Sequence, residues 1–267
     1  MVDQTKQRVQ KQFGDKAALY AISKVHVDRP SLARLVEVVA PQREWLVLDV
    51  ATGAGHTAHA LAPHVRRVVA TDLTLPMLPQ ARQLAEEKEL SNVVTAAADA
   101  EGLPFAGASF DLVTCRIAPH HFPHVERFLA EAARVLRPAG RLALVDNFVP
   151  GSPRRGKKAR LQRAAGRYIN AFDRLRDPSH VRCLSVQEWR EALYATGFTI
   201  EHEETTRKAI DFHDWVERMK VPPEDATRLR AMLVQAPREV LEFLTPVFRD
   251  VTIEFCLSEA LFVARFE

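Results

Sequence analysis

The segment Trp45-Leu46-Val47-Leu48-Asp49-Val50-Ala51-Thr52-Gly53-Ala54-Gly55-His56-Thr57-Ala58 restricts the fold more than any other part of the chain. A short apolar run holds an acid near its end, enters a turn with two glycines and passes into a helix-forming stretch. The run reads as a buried strand, and the glycines permit torsions and close backbone approaches that a Cβ would forbid. The next apolar run, Arg67-Val68-Val69-Ala70-Thr71-Asp72, closes on a second acid nineteen residues after Gly53. Strand, glycine turn, helix, strand and acid in this order form a unit suited to a nucleoside-bearing cofactor at the carboxyl ends of a parallel sheet.

Further strands are predicted over 93–96, 110–115, 141–145, 198–203 and 254–266, each an apolar or alternating run. Between them, helices are predicted over 56–62 and 76–89, the latter with Leu78, Ala81 and Leu84 inward. Another carries the stripe Val125, Phe128, Leu129, Ala132 and Leu136, closed by Pro138-Ala139-Gly140. Ser185 and Glu188 form a capping box ahead of Trp189 and Leu193. Upstream, residues 5–26 read as a helical arm in which Phe13, Ala17 and Tyr20 share a face. Asp28 and Pro30 open a second helix striped by Leu32, Leu35, Val36 and Val39. The alternation of strands and helices holds over 45–149 and predicts a mostly parallel sheet covered on both faces. We therefore divide the single domain 1–267 into an arm (1–40), a cofactor-binding core (45–149), and helical insertions over 150–184 and 206–248 on the acceptor side.

At 267 residues the chain suits one large α/β domain. Its 47% apolar and 27% charged residues are ordinary for a soluble globule. The polar N-terminus, the lack of a long apolar run and three scattered cysteines (Cys115, Cys183, Cys256) predict a cytoplasmic protein with reduced thiols and no metal.

Gly53 to Ala58 also satisfies a G-x-G-x-x-A dinucleotide pattern. Asp49 argues against that ligand, because its charge is a poor neighbour for a pyrophosphate and a good one for ammonium and sulfonium groups. The ordered motifs Asp49/Ala51/Gly53/Gly55, Asp72, Asp99-Ala100-Glu101-Gly102-Leu103-Pro104-Phe105 through Ser109-Phe110-Asp111, and Arg134-Val135-Leu136-Arg137-Pro138-Ala139-Gly140 resemble those of class I S-adenosylmethionine-dependent methyltransferases. The likeness is strongest to the ubiquinone/menaquinone-biosynthesis group acting on small molecules. It covers 45–149 closely and the rest weakly, and Ala139 stands where a glycine is commoner. The resemblance implies a Rossmann-like, seven-stranded sheet with its last strand antiparallel, S-adenosylmethionine as cofactor and S-adenosylhomocysteine as product.

By the same resemblance, Gly53 and Gly55 let the backbone approach the cofactor, with Ala51 and Leu73 beside the two acids. Asp72 accepts from the ribose hydroxyls, and Asp99 with Ala100 meets the adenine. Asp49 orients the turn or meets the ammonium. Thr57 holds the carboxylate or merely caps its helix, Cys115 and Arg116 border the methionine end, and Tyr20 or His26 closes the arm. His120 and His121 either deprotonate an acceptor or pack beneath their loop. Arg116, His121, Asn147, Tyr168, Asp173 and His180 are the acceptor-side candidates.

These features lead us to expect methyl transfer to carbon or oxygen of a small, quinone-like or phenolic acceptor, by a monomer or homodimer. Residues 154–167 carry seven Arg or Lys and no acid. They read as an exposed helix, as an attractor for an acidic substrate or peripheral membrane surface, or as a nucleic-acid contact. The near-neutral total charge and the absence of an aromatic-interleaved basic stripe disfavour nucleic acid. The alternatives are an RNA/DNA methyltransferase, a non-catalytic S-adenosylmethionine-binding protein and, more distantly, a dinucleotide oxidoreductase.

Overall fold

The computed structural model describes residues 4–14, 29–250 and 252–267. The arm enters as α1 (Gln4–Gly14), and α2 spans Arg29–Val39. Ala17, Tyr20, His26 and Asp28 lie outside the described residues. The core continues as β1 (Leu46–Val50), α3 (His56–Leu61), β2 (Arg67–Asp72), α4 (Met77–Glu87), β3 (Val93–Ala97), β4 (Phe110–Arg116), α5 (Val125–Val135) and β5 (Leu136–Asn147). The second half adds α6 (Lys157–Arg176), α7 (Val186–Ala195), β6 (Phe198–Asp211), α8 (Phe212–Arg218), α9 (Pro223–Val234), α10 (Arg238–Leu244), β7 (Val247–Phe248) and β8 (Ile253–Phe266).

These strands form one sheet in the order β3-β2-β1-β4-β5-β8-β6, with β7 paired to β8. Pairings from β3 through β5 are parallel, and β8 runs antiparallel to both β5 and β6. The two-residue β7 makes eight strands among the described residues, one more than the expected seven. The chain reverses its direction of winding between β1 and β4, so the crevice at their carboxyl ends is open to a ligand.

One face of the sheet buries Phe128, Leu129, Ala132, Trp189 and Leu193 of α5 and α7 against Leu48, Leu144 and Phe262. The other buries Leu35 and Val39 of α2 and Ala58 and Leu61 of α3 against Val47, Val68 and Val263. At roughly 1.5–3 kcal/mol per large apolar side chain, these layers fix the strand ends that carry the acids. A third cluster joins α6, α8, α9 and α10 to the first part of β8 through Phe172, Trp215, Leu229, Val240 and Phe255. The helical segments thus have a core of their own above the carboxyl edge.

Some boundaries differ from the sequence reading. Helix α5 ends at Val135, because Leu136 already pairs with Phe110. Pro138-Ala139-Gly140 is instead an irregularity inside β5, where the register jumps from Phe110↔Leu136 to Leu112↔Arg141 and Ala139 takes φ 64°. The residue before a proline favours extended backbone, which carries Arg137 into the strand. Strand β6 continues to Asp211 because β8 pairs with it throughout, so the second helical segment starts at Phe212. On α4 the buried face is Met77, Ala81 and Ala85, with Leu78 and Leu84 half-exposed.

Candidate functional site

Asp49 is 1% exposed at the end of β1. Its two oxygens accept from Thr52 Oγ1 at 2.5 Å and Thr114 Oγ1 at 2.6 Å. Burial pushes this carboxyl up to about 6, against the opposing pull of the hydroxyls. The turn that follows is held in left-handed backbone at Ala51 (φ 54°), Gly53 (φ 56°) and Gly55 (φ 87°). A Cβ on Gly55 would stand 2.7 Å from the His59 ring and 3.1 Å from Ala81, whereas one on Gly53 would meet nothing within 4 Å. Gly55 is therefore required by packing, and Gly53 leaves room in the cavity beside it.

Asp72, at the end of β2, accepts from Gly53 N at 2.8 Å and from Thr74 N at 2.7 Å. Burial raises this carboxyl, opposed by those same N–H groups. After β3, Asp99 and Glu101 share the ammonium of Lys6 from α1, at 2.6 and 2.8 Å. Burial pulls the Lys6 pKa down, and the two carboxylates more than offset it. Gln10, one helical turn on, donates to the Leu73 carbonyl at 3.1 Å. Phe13 then meets the His121 ring edge-on at 4.9 Å.

The loop after β4 presents the histidines. His120 Nδ1 donates to Asp146 Oδ1 at 2.6 Å, because an ionised carboxylate only accepts. Asp146 is 1% exposed near the end of β5. Burial pulls the His120 imidazole down, and the Asp146 charge and hydrogen bond overcome that pull, so its pKa is raised. His121 Nδ1 donates to the Ser179 carbonyl at 3.1 Å. Burial and the neighbouring His120 hold His121 far below the ordinary imidazole range.

Most of these residues border one cavity of about 240 Å³, with Asp146 and Thr114 behind its wall. Of the residues singled out from sequence, its wall contains Asp49, Ala51, Gly53, Thr57, Asp72, Leu73, Asp99, Ala100, Arg116, His120, His121 and Asn147. Arg116 Nε also donates to Thr57 Oγ1 at 3.2 Å. Gly55 sits behind the turn, and Cys115 is fully buried in β4. Tyr168, Asp173 and His180 lie off the wall. Tyr168 is committed to the Met232 carbonyl at 2.7 Å, and His180 Nε2 to Asn170 Oδ1 at 2.9 Å. Burial, then the charges of His120 and His121, drive the His180 pKa down. The ligand-type atoms of Asp173, His180 and Cys183 lie within 4.8 Å of one another. Burial drives the Cys183 thiol well up, against the thiolate form that binds a metal.

The sequence reading passed over Asp146, Lys6, Glu101 and Arg176. Asp146 had a usable signal, since it closes an apolar strand as Asp49 and Asp72 do. Lys6 had none, being one cation in a polar helix.

An acid-ended β1, a glycine turn open to the cavity and acids after β2 and β3 offer acceptors for ribose and adenine beside a positive-end helix start. This set of groups fits S-adenosylmethionine. Residues 48–144 match a family model described as a methyltransferase domain. YcgJ of Bacillus subtilis, known as an uncharacterized methyltransferase, is 33% identical over 93% of this chain and 95% of its own. The crystal structure of BH2331 from Bacillus halodurans C-125 superposes with a TM-score of 0.81 at 37% identity, covering 88% of this chain and 97% of that one. A demethylmenaquinone methyltransferase of Deinococcus radiodurans is 40% identical over 55% of this chain and 63% of its own. A demethylmenaquinone methyltransferase of Clavibacter sepedonicus is 31% identical over 71% of this chain and 79% of its own. With fold, glycine turn and strand-end acids in agreement, the chain belongs to the class I S-adenosylmethionine-dependent methyltransferases and is related to the menaquinone-biosynthesis enzymes.

Proposed function

We propose that this enzyme methylates carbon or oxygen of a small phenolic or quinol-type acceptor, with His120 as the proton acceptor and Asp146 as the residue that positions it. The observation that carries this reading is the His120–Asp146 pair, 2.6 Å apart, with His120 on the cavity wall beyond β4. The demethylmenaquinone and ubiquinone/menaquinone methyltransferases among the relatives support a ring acceptor.

S-adenosylmethionine supplies an electrophilic methyl on a sulfonium, taken by in-line displacement. Asp72 and Asp99 would hold its ribose and adenine, Gly53 its backbone contact, and Thr57 with Arg116 its carboxylate. Asp49 acts on the turn through Thr52 and keeps negative potential near the cation. Asp146 fixes the Nδ1–H tautomer of His120, which leaves Nε2 in the neutral ring to receive a hydroxyl proton. His121, held neutral, adds no competing positive charge. A domain division into arm, core and acceptor-side helices follows from the same reading.

Tritiated-methyl transfer from S-adenosylmethionine to a panel of phenols, catechols and menaquinol analogues tests the proposal, with wild type beside His120→Gln. We expect product with at least one ring acceptor and a loss of about 10²-fold or more in kcat for the variant. Turnover confined to RNA, DNA or protein would overturn the acceptor class, and an undiminished His120→Gln would remove the base.

A further inference from the structure

Residues 154–167 carry seven cations and no acid, and the cavity uses none of them. The whole chain has a net charge of only +3, so the rest of the molecule is net acidic and positive charge is concentrated on this one segment. It forms a loop followed by the first half of α6. Arg163 ties the two together, its Nη1 donating to the Ser152 carbonyl at 2.8 Å and the Arg154 carbonyl at 2.9 Å. The inner face of α6 is anchored by Ala165, Ile169 and Phe172. At Gly166 a Cβ would stand 2.2 Å from the Pro150 carbonyl oxygen, so loop and helix form a packed platform.

The outer face of α6 is Lys157, Arg160, Ala164, Arg167 and Ala171, spaced by three and four so that they lie in one row. All five are exposed, as are Arg154, Arg155 and Lys158 at the near end. The two alanines keep the middle of the row low, and the longer cations can extend from it toward a broad surface.

Folding does not account for these charges. Lys157, Lys158 and Arg160 stand in the first turn of α6, which has no acid and whose N-cap, Gly156, supplies no side-chain cap. Cations at this positive end of a helix dipole are destabilising. Exposed arginines on neighbouring helices are paired within their helix, Arg228 with Asp225 at 2.9 Å and Arg238 with Glu242 at 2.7 Å. Among the described residues, no carboxylate pairs with any of the seven cations. The acids that share a groove with Arg163 and Arg167 are Glu188 and Glu191 of α7. Glu188 is engaged by Ser185 N at 2.8 Å and by Arg182, and Glu191 by Gln187 at 3.0 Å.

Apolar side chains border the row. Leu161, four residues on from Lys157, is 37% exposed. Tyr168, four on from Ala164, bonds the Met232 carbonyl of α9, and Val234 near it is 53% exposed. Cations set around exposed aliphatic groups suit the headgroup level of an anionic bilayer. Single-stranded nucleic acid asks instead for aromatic stacking platforms, and residues 154–167 contain no aromatic.

We infer that this face of α6, with the loop at Arg154 and Arg155, docks the protein on an anionic phospholipid surface. The inference goes beyond the acceptor reading and does not depend on it. The attraction is the summed field of the seven charges, with Leu161 entering the headgroup layer. Docking lays the acceptor-side helices against the bilayer, since α6 continues to Arg176 on the cavity wall.

Sedimentation of the full chain with vesicles tests this, comparing phosphatidylcholine alone with phosphatidylcholine containing about 30% phosphatidylglycerol. We expect binding to the anionic vesicles only, and release as salt rises from roughly 0.1 M to roughly 0.5 M, because screening shortens the reach of the charges. Each cation at such a surface contributes about fivefold in partitioning, so Lys157→Gln/Arg160→Gln/Arg167→Gln should bind about 100-fold more weakly. Thermal unfolding and S-adenosylhomocysteine binding, both expected to stay as in wild type, show that the variant is folded. The swap Lys157→Arg/Arg160→Lys/Arg167→Lys should bind as wild type does, because a lipid surface reads charge and not the arginine fork. Equal binding to neutral vesicles, no binding to anionic ones at low salt, an undiminished glutamine variant or a swap as weak as that variant would overturn the inference. So would a mixed-sequence RNA that binds more tightly than the vesicles at equal salt and displaces them, which would make this face a nucleic-acid contact.

Discussion

The charge on Asp49 is expensive to the folded state, and the variant Asp49→Asn exposes the cost. The side chain is 1% exposed, and burial moves its carboxyl from an ordinary 3.8 to about 6. At 1.36 kcal/mol per pKa unit, ionising it in the folded protein costs roughly 3 kcal/mol more than in the unfolded chain. The sign follows from proton counting. Between 3.8 and about 6 the native state holds the proton that the unfolded state has released, so stability falls as pH rises through this window and levels off above it. Asparagine carries no such charge. Its amide can donate to one threonine hydroxyl and accept from the other, since both Thr52 and Thr114 hydroxyls can rotate. We therefore expect Asp49→Asn to gain stability relative to wild type by about 1–3 kcal/mol between pH 4 and pH 8. Urea denaturation at both pH values, read by far-ultraviolet circular dichroism, measures the difference. Taking variant against wild type cancels the other titrating groups, Asp72 and Asp173 included. A stability difference that is flat across the window would refute the argument. A difference that grows in wild type's favour as pH rises would mean that the hydroxyls and Arg116 stabilise the carboxylate more than burial penalises it.

Three other outcomes follow from the geometry. Gly55→Ala should lose about 2–5 kcal/mol in the same denaturation assay, from left-handed strain and the displaced His59–Ala81 hydrogen bond; Gly53→Ala, with open space around its Cβ, should lose only about 1 kcal/mol, and equal losses would contradict the packing account. Lys6→Met should tighten S-adenosylhomocysteine binding severalfold at low salt, because the ammonium occupies Asp99 and Glu101, and weaker binding would show that Lys6 supports the ligand instead. Asp146→Asn removes the charge that holds the His120 pKa up, so the His120 ring should titrate at lower pH in proton NMR, with the acidic limb of the pH–rate profile moving the same way; an unchanged titration would separate His120 from Asp146.

The cofactor half was legible in the sequence because its signals are local. A buried strand must be apolar, an acid at its carboxyl end must be there for a reason other than packing, and left-handed turn positions ask for glycine. Asp49 and Gly53 lie within one strand and its turn and Asp72 closes the next strand, and hydrophobic period alone placed the strands around them. The strand boundaries that failed, at Pro138 and at Asp211, failed because pairing with a distant strand overrode the local pattern. Strand β6 is half-polar beyond residue 203 and stays extended because β8 supplies its hydrogen bonds as far as Asp211↔Glu254.

The acceptor half belongs to tertiary structure. His120 meets Asp146 across 26 positions because β4 and β5 are neighbours in register, with Arg116 opposite Val145. Lys6 meets Asp99 across 93 positions, where the arm crosses the carboxyl edge of the sheet. Arg176 gains its fixed direction only where α8 brings Trp215 beneath it. No periodicity records such meetings, since each depends on which strands are adjacent and how helices pack over their ends. Local order along the chain was enough to specify the sheet and the acids at its strand ends, because backbone hydrogen bonding and burial act on every residue in turn. Only the folded chain decided which charges face one another in the cavity, because that depends on contacts between residues far apart in the chain.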